Sequence, residues 1–329
     1  MGIPELRAAI AADATARKGF NVSPDRVVVV PGGKPVMFFA ILALIEEGDE
    51  VIYPDPGFPI YESMVNFVGA TAVACPIRQE NGFRLDPKEL ASLVTKRTRL
   101  VIINSPANPT GGVSTREDLE QIAAVAREHD LVVLADEIYG RILYEGEHVS
   151  IASLPGMVDR TIVLDGFSKT YAMTGWRLGY AIVPERLVMP FSRLLVNSVS
   201  CTNAATQWAG VEALTGPQDS VAAMVEEFRA RRDLIVDGLN AIPGVSCLRP
   251  SGAFYAFPEI SGTGLTGAEL ADRLLSEGGV SALAGTAFGR VGRNHLRFSY
   301  ATSRENIAEA MKRMSAVVAP LAVRAGTAR

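Results

Sequence analysis

Short apolar runs rich in β-branched residues alternate with amphipathic stretches along the first part of the chain. Six of these runs have the pattern of buried strands, at residues 26–30, 50–53, 100–104, 131–135, 161–164 and 179–183. Helical patterns separate most of them, at residues 34–45, 86–94 and 115–129. This alternation predicts an α/β fold with a mostly parallel sheet and helices on both faces. In such sheets ligands bind at the carboxyl ends of the strands.

A second, smaller unit is predicted after a long charged amphipathic pattern at 217–239, which is suited to connect two domains. Beyond it the sequence predicts strands at 245–248, 253–257 and 296–299, and helices at 266–276 and 303–318. We therefore predict a large domain over residues 1–235 and a small α+β C-terminal domain over residues 236–329.

Composition narrows the class of protein. Of the 329 residues 48% are hydrophobic, which is enough to bury a large core. The formal charge of -4, from 32 basic and 36 acidic residues, provides no basic surface for binding nucleic acid. Cys75, Cys201 and Cys247 lack metal-ligand spacing, and no apolar run reaches the ~18 residues that a membrane span requires. We therefore expect no metal, no nucleic-acid or membrane partner, and a cytoplasmic location.

One lysine lies in a segment whose residues indicate chemistry. Residues 165–180 read DGFSKTYAMTGWRLGY, follow a predicted strand, and place Lys169 eight residues before Arg177. An amine that attacks a carbonyl must be held in place and partly desolvated, because a hydrated ammonium with a pKa near ~10 is a poor nucleophile. The planar guanidinium of Arg177 suits a dianionic phosphate, which a cofactor bound to Lys169 would carry. The alternative is a solvated surface lysine.

This segment resembles the pyridoxal-phosphate (PLP) lysine motif of the class I/II aminotransferases of fold-type I. Ser168, Lys169 and Arg177 match the motif, whereas Gly166 stands where the family often has a serine or threonine. The resemblance extends from Gly2 to about Ala319. It implies the PLP-dependent transferase fold, a Schiff base between Lys169 and PLP, and contacts from Ser168 and Arg177 to the cofactor.

Two other predicted strand ends carry polar side chains. The loop 104–112, NSPANPTGG, contains two prolines and predicts a rigid turn that holds the amide of Asn108. Residues 131–139 end a strand with Asp136 and Glu137, where a buried carboxylate needs a partner such as a pyridinium nitrogen, or else caps a helix. The resemblance implies that Asp136 binds the PLP ring nitrogen and that Asn108 and Tyr139 bind the ring hydroxyl. Glu137 is predicted to be structural.

Two turns are candidates for further cofactor contacts. Gly33 and Lys34 lie between a strand and a helix, where backbone N–H groups can bind an anion, although glycines at such turns also serve only to relieve steric conflict. The resemblance implies phosphate contacts from both amides. Residues 55–61, DPGFPIY, resemble the family's turn that stacks an aromatic ring on the cofactor. Phe58 is the candidate, Tyr61 could fill that space instead, and a core aromatic is the alternative for either.

Arg297 lies inside an otherwise apolar strand pattern, NHLRFSY, where an unpaired guanidinium is costly and requires an anion. A structural salt bridge to a helix would satisfy it. The resemblance implies instead that Arg297, together with Asn108, binds the substrate, with the guanidinium gripping the α-carboxylate in a bidentate clamp.

These motifs predict a PLP-dependent transaminase that moves an amino group between an L-amino acid and a 2-oxo acid in a ping-pong reaction. Lys169 is the predicted base, and Asp136 and Tyr139 are its catalytic partners. Amino acids, 2-oxo acids and a second copy of the chain are the expected partners. The alternatives are a PLP-dependent C–S lyase acting by β-elimination and a truncated PLP-binding protein with weak activity.

The position of the matched motifs adds one expectation. Family members normally reach the segment at residues 1–7 only after several dozen residues. The resemblance implies that such a front segment supplies an arm across the dimer, contacts near the substrate carboxylate and a tyrosine to the neighbouring subunit's phosphate. We therefore expect the chain to bind PLP weakly and to be a poor catalyst as it stands.

Overall fold

A seven-stranded sheet is the centre of the protein, whose computed structural model describes residues 1–326. Its strands are β1 (Val27–Val30), β2 (Glu50–Asp55), β3 (Thr71–Pro76), β4 (Thr98–Asn104), β5 (Val132–Asp136), β6 (Thr161–Gly166) and β7 (Gly179–Ile182). They lie in the order β1-β7-β6-β5-β4-β2-β3. Strands β2 to β6 are parallel, and β7 is antiparallel to both of its neighbours. The predicted mostly parallel sheet is confirmed.

The six predicted strands form close to their predicted bounds, whereas β3 was not predicted. Strand β3 is the edge of the sheet and pairs only with β2 in the described part of the chain. Its side chains are mostly half-buried, so it lacks the continuous apolar run that marks the central strands. Edge strands of this kind carry a weaker sequence pattern than buried ones.

Helices cover both faces of the sheet. They are α1 (Pro4–Lys18), α2 (Lys34–Leu44), α3 (Ile60–Phe67), α4 (Pro87–Leu93), α5 (Arg116–Glu128), α6 (Glu185–Ser198) and α7 (Ala204–Thr215). Alternate strand residues face opposite ways, so Leu100 packs with α2, α3 and α6, while Val101 packs with α4 and α5. Helices α1 and α7 pack together, and α1 covers β1, β6 and β7.

A smaller antiparallel sheet follows, built from β8 (Tyr255–Ala256), β9 (Leu283–Ala284) and β10 (Leu296–Ser299) in the order β8-β10-β9. Helices α8 (Asp219–Asn240), α9 (Gly267–Gly278) and α10 (Arg304–Gly326) enclose its core. The strand predicted at 245–248 is wrong, because only Ser246 forms an isolated bridge there. The side chain of Asn240 instead binds the backbone N–H and C=O of Cys247, groups that a strand would use.

The division between residues 235 and 236 stays a prediction. It falls inside α8, which runs unbroken from Asp219 to Asn240, and the last residues of the predicted small domain, 327–329, lie outside the described residues. Across residues 1–326, no helix combines the length and the apolar character needed to cross a membrane.

Candidate active site

The carboxyl ends of β4, β5 and β6 meet at one edge of the large sheet, where they border a cavity of about 460 Å³. Strand β1 runs in the same direction as β6, so the turn after it reaches this edge too. All of the predicted site residues line this cavity: Gly33, Lys34, Phe58, Asn108, Asp136, Tyr139, Ser168, Lys169, Arg177 and Arg297. The structure therefore brings together residues that the sequence scatters over most of its length.

Lys169 follows the end of β6 in a short turn and points its amine into the cavity. Its Nζ lies 5.5 Å from the ring centre of Phe254 and 5.9 Å from that of Tyr139. Burial lowers the pKa of Lys169, and the positive charges of Arg297 and Arg177 lower it further. A larger fraction of the amine is therefore neutral near pH 7 than for a surface lysine, which suits a nucleophile or a base.

Asp136 ends β5 and is buried at the inner wall of the cavity. Its Oδ2 accepts a hydrogen bond of 2.6 Å from the Tyr61 hydroxyl, and its Oδ1 accepts one of 3.2 Å from the Ile138 N–H. Burial raises the pKa of Asp136 to about 6, although both hydrogen bonds oppose the rise. In the described part of the chain this carboxylate has no cationic partner within ion-pair distance, so a positive group in the cavity would fit it.

Tyr61 is placed differently from what the sequence suggested. It does not line the cavity, its side chain is buried, and its hydroxyl is engaged with Asp136. The possibility that Tyr61 stacks on the cofactor is therefore wrong, because its ring packs in the core beside Phe58. Phe58 lines the cavity and keeps its predicted place there.

The turn after β1 brings backbone close to Arg177. Gly32 has a φ of +84°, and a Cβ added to it would lie 2.2 Å from Nη2 of Arg177. Gly33 caps α2, and Gly33 and Lys34 both line the cavity at the N-terminus of this helix, where backbone N–H groups can bind an anion. Arg177 Nη1 donates to the Thr174 carbonyl, and the guanidinium makes no ion pair with the described residues. These donors fit a phosphate group.

Arg297, on β10, also lines the cavity. Its Nη1 donates a hydrogen bond of 3.2 Å to Asn108 Oδ1, and its guanidinium carbon lies 4.6 Å from the Tyr255 ring centre and 4.7 Å from that of Phe288. Burial lowers the pKa of Arg297, and its buried Nε has no hydrogen-bond partner. The alternative of a structural salt bridge is wrong, since no carboxylate of residues 1–326 pairs with it. A guanidinium without an anionic partner among the described residues therefore lines the cavity.

The loop that carries Asn108 is held from two sides. Asn104, at the end of β4, accepts the Asn108 N–H at 2.8 Å and donates to the Asp136 carbonyl at 3.0 Å. On the other side, the Gly111 carbonyl accepts the N–H groups of Ser251 and Gly252. The loop therefore connects the end of β4 and β5 with the segment that precedes β8.

Three polar residues of the cavity wall had no predicted role: Asn104, Thr174 and Tyr255. The Tyr255 hydroxyl shares a hydrogen bond of 2.8 Å with that of Tyr139, and burial raises the pKa of Tyr139. The sequence could have predicted a place in the cavity wall for Asn104, because it is a polar residue at the end of a buried strand. It could not have done so for Tyr255, because an aromatic residue in a strand pattern indicates core packing first.

Comparisons with known proteins place the chain among transaminases. The family described as "Aminotransferase class I and II" matches residues 1–314. An aspartate aminotransferase of Pyrococcus abyssi is 40% identical over 322 residues, which span 97% of this chain and 82% of that protein. An arginine–pyruvate transaminase of Pseudomonas aeruginosa is 40% identical over 316 residues, 96% of this chain and 80% of that protein.

A solved structure agrees with these matches. The crystal structure of an aromatic aminotransferase from Pyrococcus horikoshii has a TM-score of 0.95 to this protein at 40% identity, covering 97% of this chain and 86% of that one. The family predicted from the motifs and its transaminase activity are thereby confirmed. The protein belongs to the class I and II aminotransferases, a PLP-dependent family.

Proposed function

We propose that the protein transfers an amino group between an L-amino acid and a 2-oxo acid in the cavity at the carboxyl edge of the large sheet, with PLP as its cofactor. The observation that carries this proposal is the arrangement around Lys169. An amine of lowered pKa lies in one cavity with a buried carboxylate that lacks a cation and a guanidinium that lacks an anion.

The cavity residues fit PLP at each of its polar groups. When bound, PLP supplies an electron-accepting ring that stabilises negative charge at the substrate α-carbon. Asp136 would hold a proton on the ring nitrogen, because its buried carboxylate lines the cavity and has no cationic partner among the described residues. Arg177, Ser168 and the amides of the Gly33–Lys34 turn bind the phosphate. Asn108 and Tyr139 bind the ring hydroxyl, and Phe58 packs on the ring.

Two side chains act on the amino acid. Arg297 binds the α-carboxylate through its fork, with Asn108 fixing the orientation of the guanidinium. Lys169 takes the α-proton, a step that requires a neutral amine and is favoured by its lowered pKa. The apolar walls around the amine, Phe254 and Tyr139, exclude water from this proton transfer.

The substrates are proposed only as a class, an L-amino acid and a 2-oxo acid. Relatives of similar identity are named for aspartate, for aromatic amino acids and for arginine with pyruvate. A panel of aspartate, phenylalanine and arginine, with 2-oxoglutarate or pyruvate as acceptor, therefore covers the named chemistries.

The test follows the visible absorbance of PLP bound to the purified protein. Each amino acid is added alone, and its productive half-reaction bleaches the band, which the 2-oxo acid then restores. We expect Lys169→Ala to lose the band with PLP supplied, whereas Lys96→Ala, on an exposed lysine outside the cavity, keeps it. An unchanged spectrum in Lys169→Ala eliminates Lys169 as the anchor. Pyruvate and ammonia formed without an acceptor would indicate elimination instead of transfer.

A homodimer is proposed as the functional unit. Large apolar side chains are exposed near the site and on neighbouring helices; these are Phe67, Trp176, Met189, Val196 and Trp208. Exposed apolar surface of this kind marks a protein interface, and Trp176 directly precedes Arg177. Sedimentation analysis should give twice the mass of the chain, and a monomer at micromolar concentration would contradict the proposal.

A further inference from the structure

A buried cluster of charged side chains lies behind Asp136, outside the cavity, and has no part in the function proposed above. At its centre is Lys18, the last residue of α1, whose side chain is fully buried. Its Nζ lies 2.6 Å from Glu137 Oε2 and 2.9 Å from Asp165 Oδ2. A single ammonium therefore binds two carboxylates that are themselves almost completely buried.

These carboxylates belong to the two strands that carry the catalytic segment. Glu137 directly follows Asp136 at the end of β5, and Asp165 lies in β6, four residues before Lys169. Asp136 is paired in register with Leu164, and the Glu137 N–H donates to the Leu164 carbonyl at 2.9 Å. Since side chains alternate along a strand, Glu137 and Asp165 point to the same side, away from the cavity that Asp136 faces.

Other groups contact the two carboxylates but do not replace the ammonium. Ser150 donates to Glu137 Oε1 at 2.6 Å, and His148 Nε2 lies 3.0 Å from Oε2 without the alignment of a hydrogen bond. Tyr180 donates to Asp165 Oδ2 at 3.2 Å, and the Gly166 N–H donates to Oδ1 at 2.7 Å. The neighbouring cation Arg17 pairs with Asp13, which also binds Arg141. Lys18 alone contacts both carboxylates among the residues described.

The charges of this cluster are mutually dependent. Burial lowers the pKa of Lys18, but the charges of Asp165 and Glu137 outweigh burial and leave it raised. Burial raises the pKa of Glu137, but Lys18 and His148 outweigh burial and leave it well below its ordinary value. Glu137 and Asp165 also contribute to the raised pKa of Asp136. Without Lys18, two buried carboxylates would face each other directly behind Asp136, an arrangement that is costly.

We propose that Lys18 is a positioning residue of the active site, which binds Glu137 and Asp165 behind β5 and β6 and thereby keeps Asp136 ionised and turned toward the cavity. This inference rests on the role proposed for Asp136. Lys18 is on an element that contributes no residue to the cavity wall, so its effect must pass through the two carboxylates.

The test compares Lys18→Met with the double variant Lys18→Met/Asp165→Asn, which also removes one of the two buried carboxylate charges that Lys18→Met leaves without a cation. Arg7→Met, on the same helix and paired with a solvent-exposed Asp25, is the matched control. The dissociation constant of PLP is measured by visible absorbance between about pH 6 and about pH 9. Thermal unfolding of the protein without PLP is measured in parallel.

We expect Lys18→Met to weaken PLP binding by about tenfold or more near pH 8, the size typical for loss of a group that orients a ligating residue. The defect should shrink toward about pH 6, because the uncompensated carboxylates then take up a proton. In the double variant, binding should return to within about threefold of wild type at every pH, since its charge balance is restored. Arg7→Met should bind PLP as the wild type does.

Two results would overturn the role inferred for Lys18. Wild-type PLP affinity in Lys18→Met across the pH range overturns the inference, and so does a double variant that fails to fold or binds as weakly as the single variant. Asp136→Asn, measured beside them, separates this inference from the proposed function. If Asp136→Asn keeps wild-type affinity and spectrum, the role of Asp136 fails; if it weakens binding while Lys18→Met does not, only the role of Lys18 fails.

Discussion

Ionisation of Asp136 should destabilise the protein when PLP is absent, and Asp136→Asn should remove that effect. The pKa of this carboxyl is raised from 3.8 to about 6, mainly by burial. The folded state therefore holds the proton more tightly than the unfolded chain. The resulting contribution to stability is complete below about pH 4 and is lost as the pH rises through about 6. The pKa rises by about two units, and each unit corresponds to ~1.4 kcal/mol. The free energy of unfolding is therefore lowered by about 3 kcal/mol over this pH range.

The assay is urea unfolding of both proteins without PLP, at steps between about pH 4 and about pH 8. Asparagine keeps the size of the side chain and an oxygen to accept the Tyr61 hydroxyl, so the variant lacks mainly the charge. Glu137 acts in the opposite sense, because its lowered pKa adds stability that is present at neutral pH and lost as the pH falls. Both proteins share that contribution, so the difference between their free energies of unfolding reports the ionisation of Asp136 alone.

Relative to the wild type, the free energy of unfolding of the variant should increase by about 3 kcal/mol as the pH rises from about 4 to about 7. Above about pH 7 the difference should stay constant. Saturating PLP should stabilise the wild type more than the variant, because a protonated ring nitrogen gives the carboxylate its cation. A difference that is independent of pH, or one that changes in the opposite direction, would refute the reasoning.

Three further substitutions test the cavity. Tyr61→Phe removes the 2.6 Å hydrogen bond to Asp136 and should raise the pKa of that carboxyl by about one unit or more, which shifts the same pH-dependent unfolding window upward. Arg297→Lys loses the bidentate fork and should raise KM for the amino acid by about tenfold or more while leaving the dissociation constant of PLP unchanged. Gly32→Ala places a Cβ 2.2 Å from Arg177 Nη2 and should weaken binding of PLP by about tenfold, but binding of pyridoxal, which lacks the phosphate, much less.

The large sheet and the cavity wall were predictable because their signals are local. Buried parallel strands are continuous apolar runs, and polar residues at their ends or in the loops that follow, such as Asp136 and Asn108, lie at one edge of the sheet. Each of these residues lies within a few positions of the strand that places it. Its position in the structure could therefore be predicted from the sequence around it.

The supporting contacts were not predictable, since they join distant parts of the chain. Lys18 binds a carboxylate 119 positions away, and in the sequence it reads only as a basic residue in the last turn of a helix. Tyr61 reads equally well as a core aromatic or a stacking ring, and only its hydroxyl on Asp136, 75 positions away, decides its place. The strand predicted at 245–248 failed for a different reason, because the side-chain amide of Asn240, only seven positions from Cys247, takes the backbone hydrogen bonds that a strand would use.

The hydrogen bond between Asn108 and Arg297 joins residues 189 positions apart, one on a loop of the large sheet and one on β10 of the small sheet. The groups proposed to hold PLP, by contrast, all belong to the large sheet and its loops. A partly denatured protein that keeps the large sheet but releases the small one would therefore keep the visible absorbance of bound PLP. It would no longer react with an added amino acid. The absorbance of bound PLP and the transaminase activity should be lost at different denaturant concentrations. The difference between the two midpoints would report the stability of the contact between the two sheets.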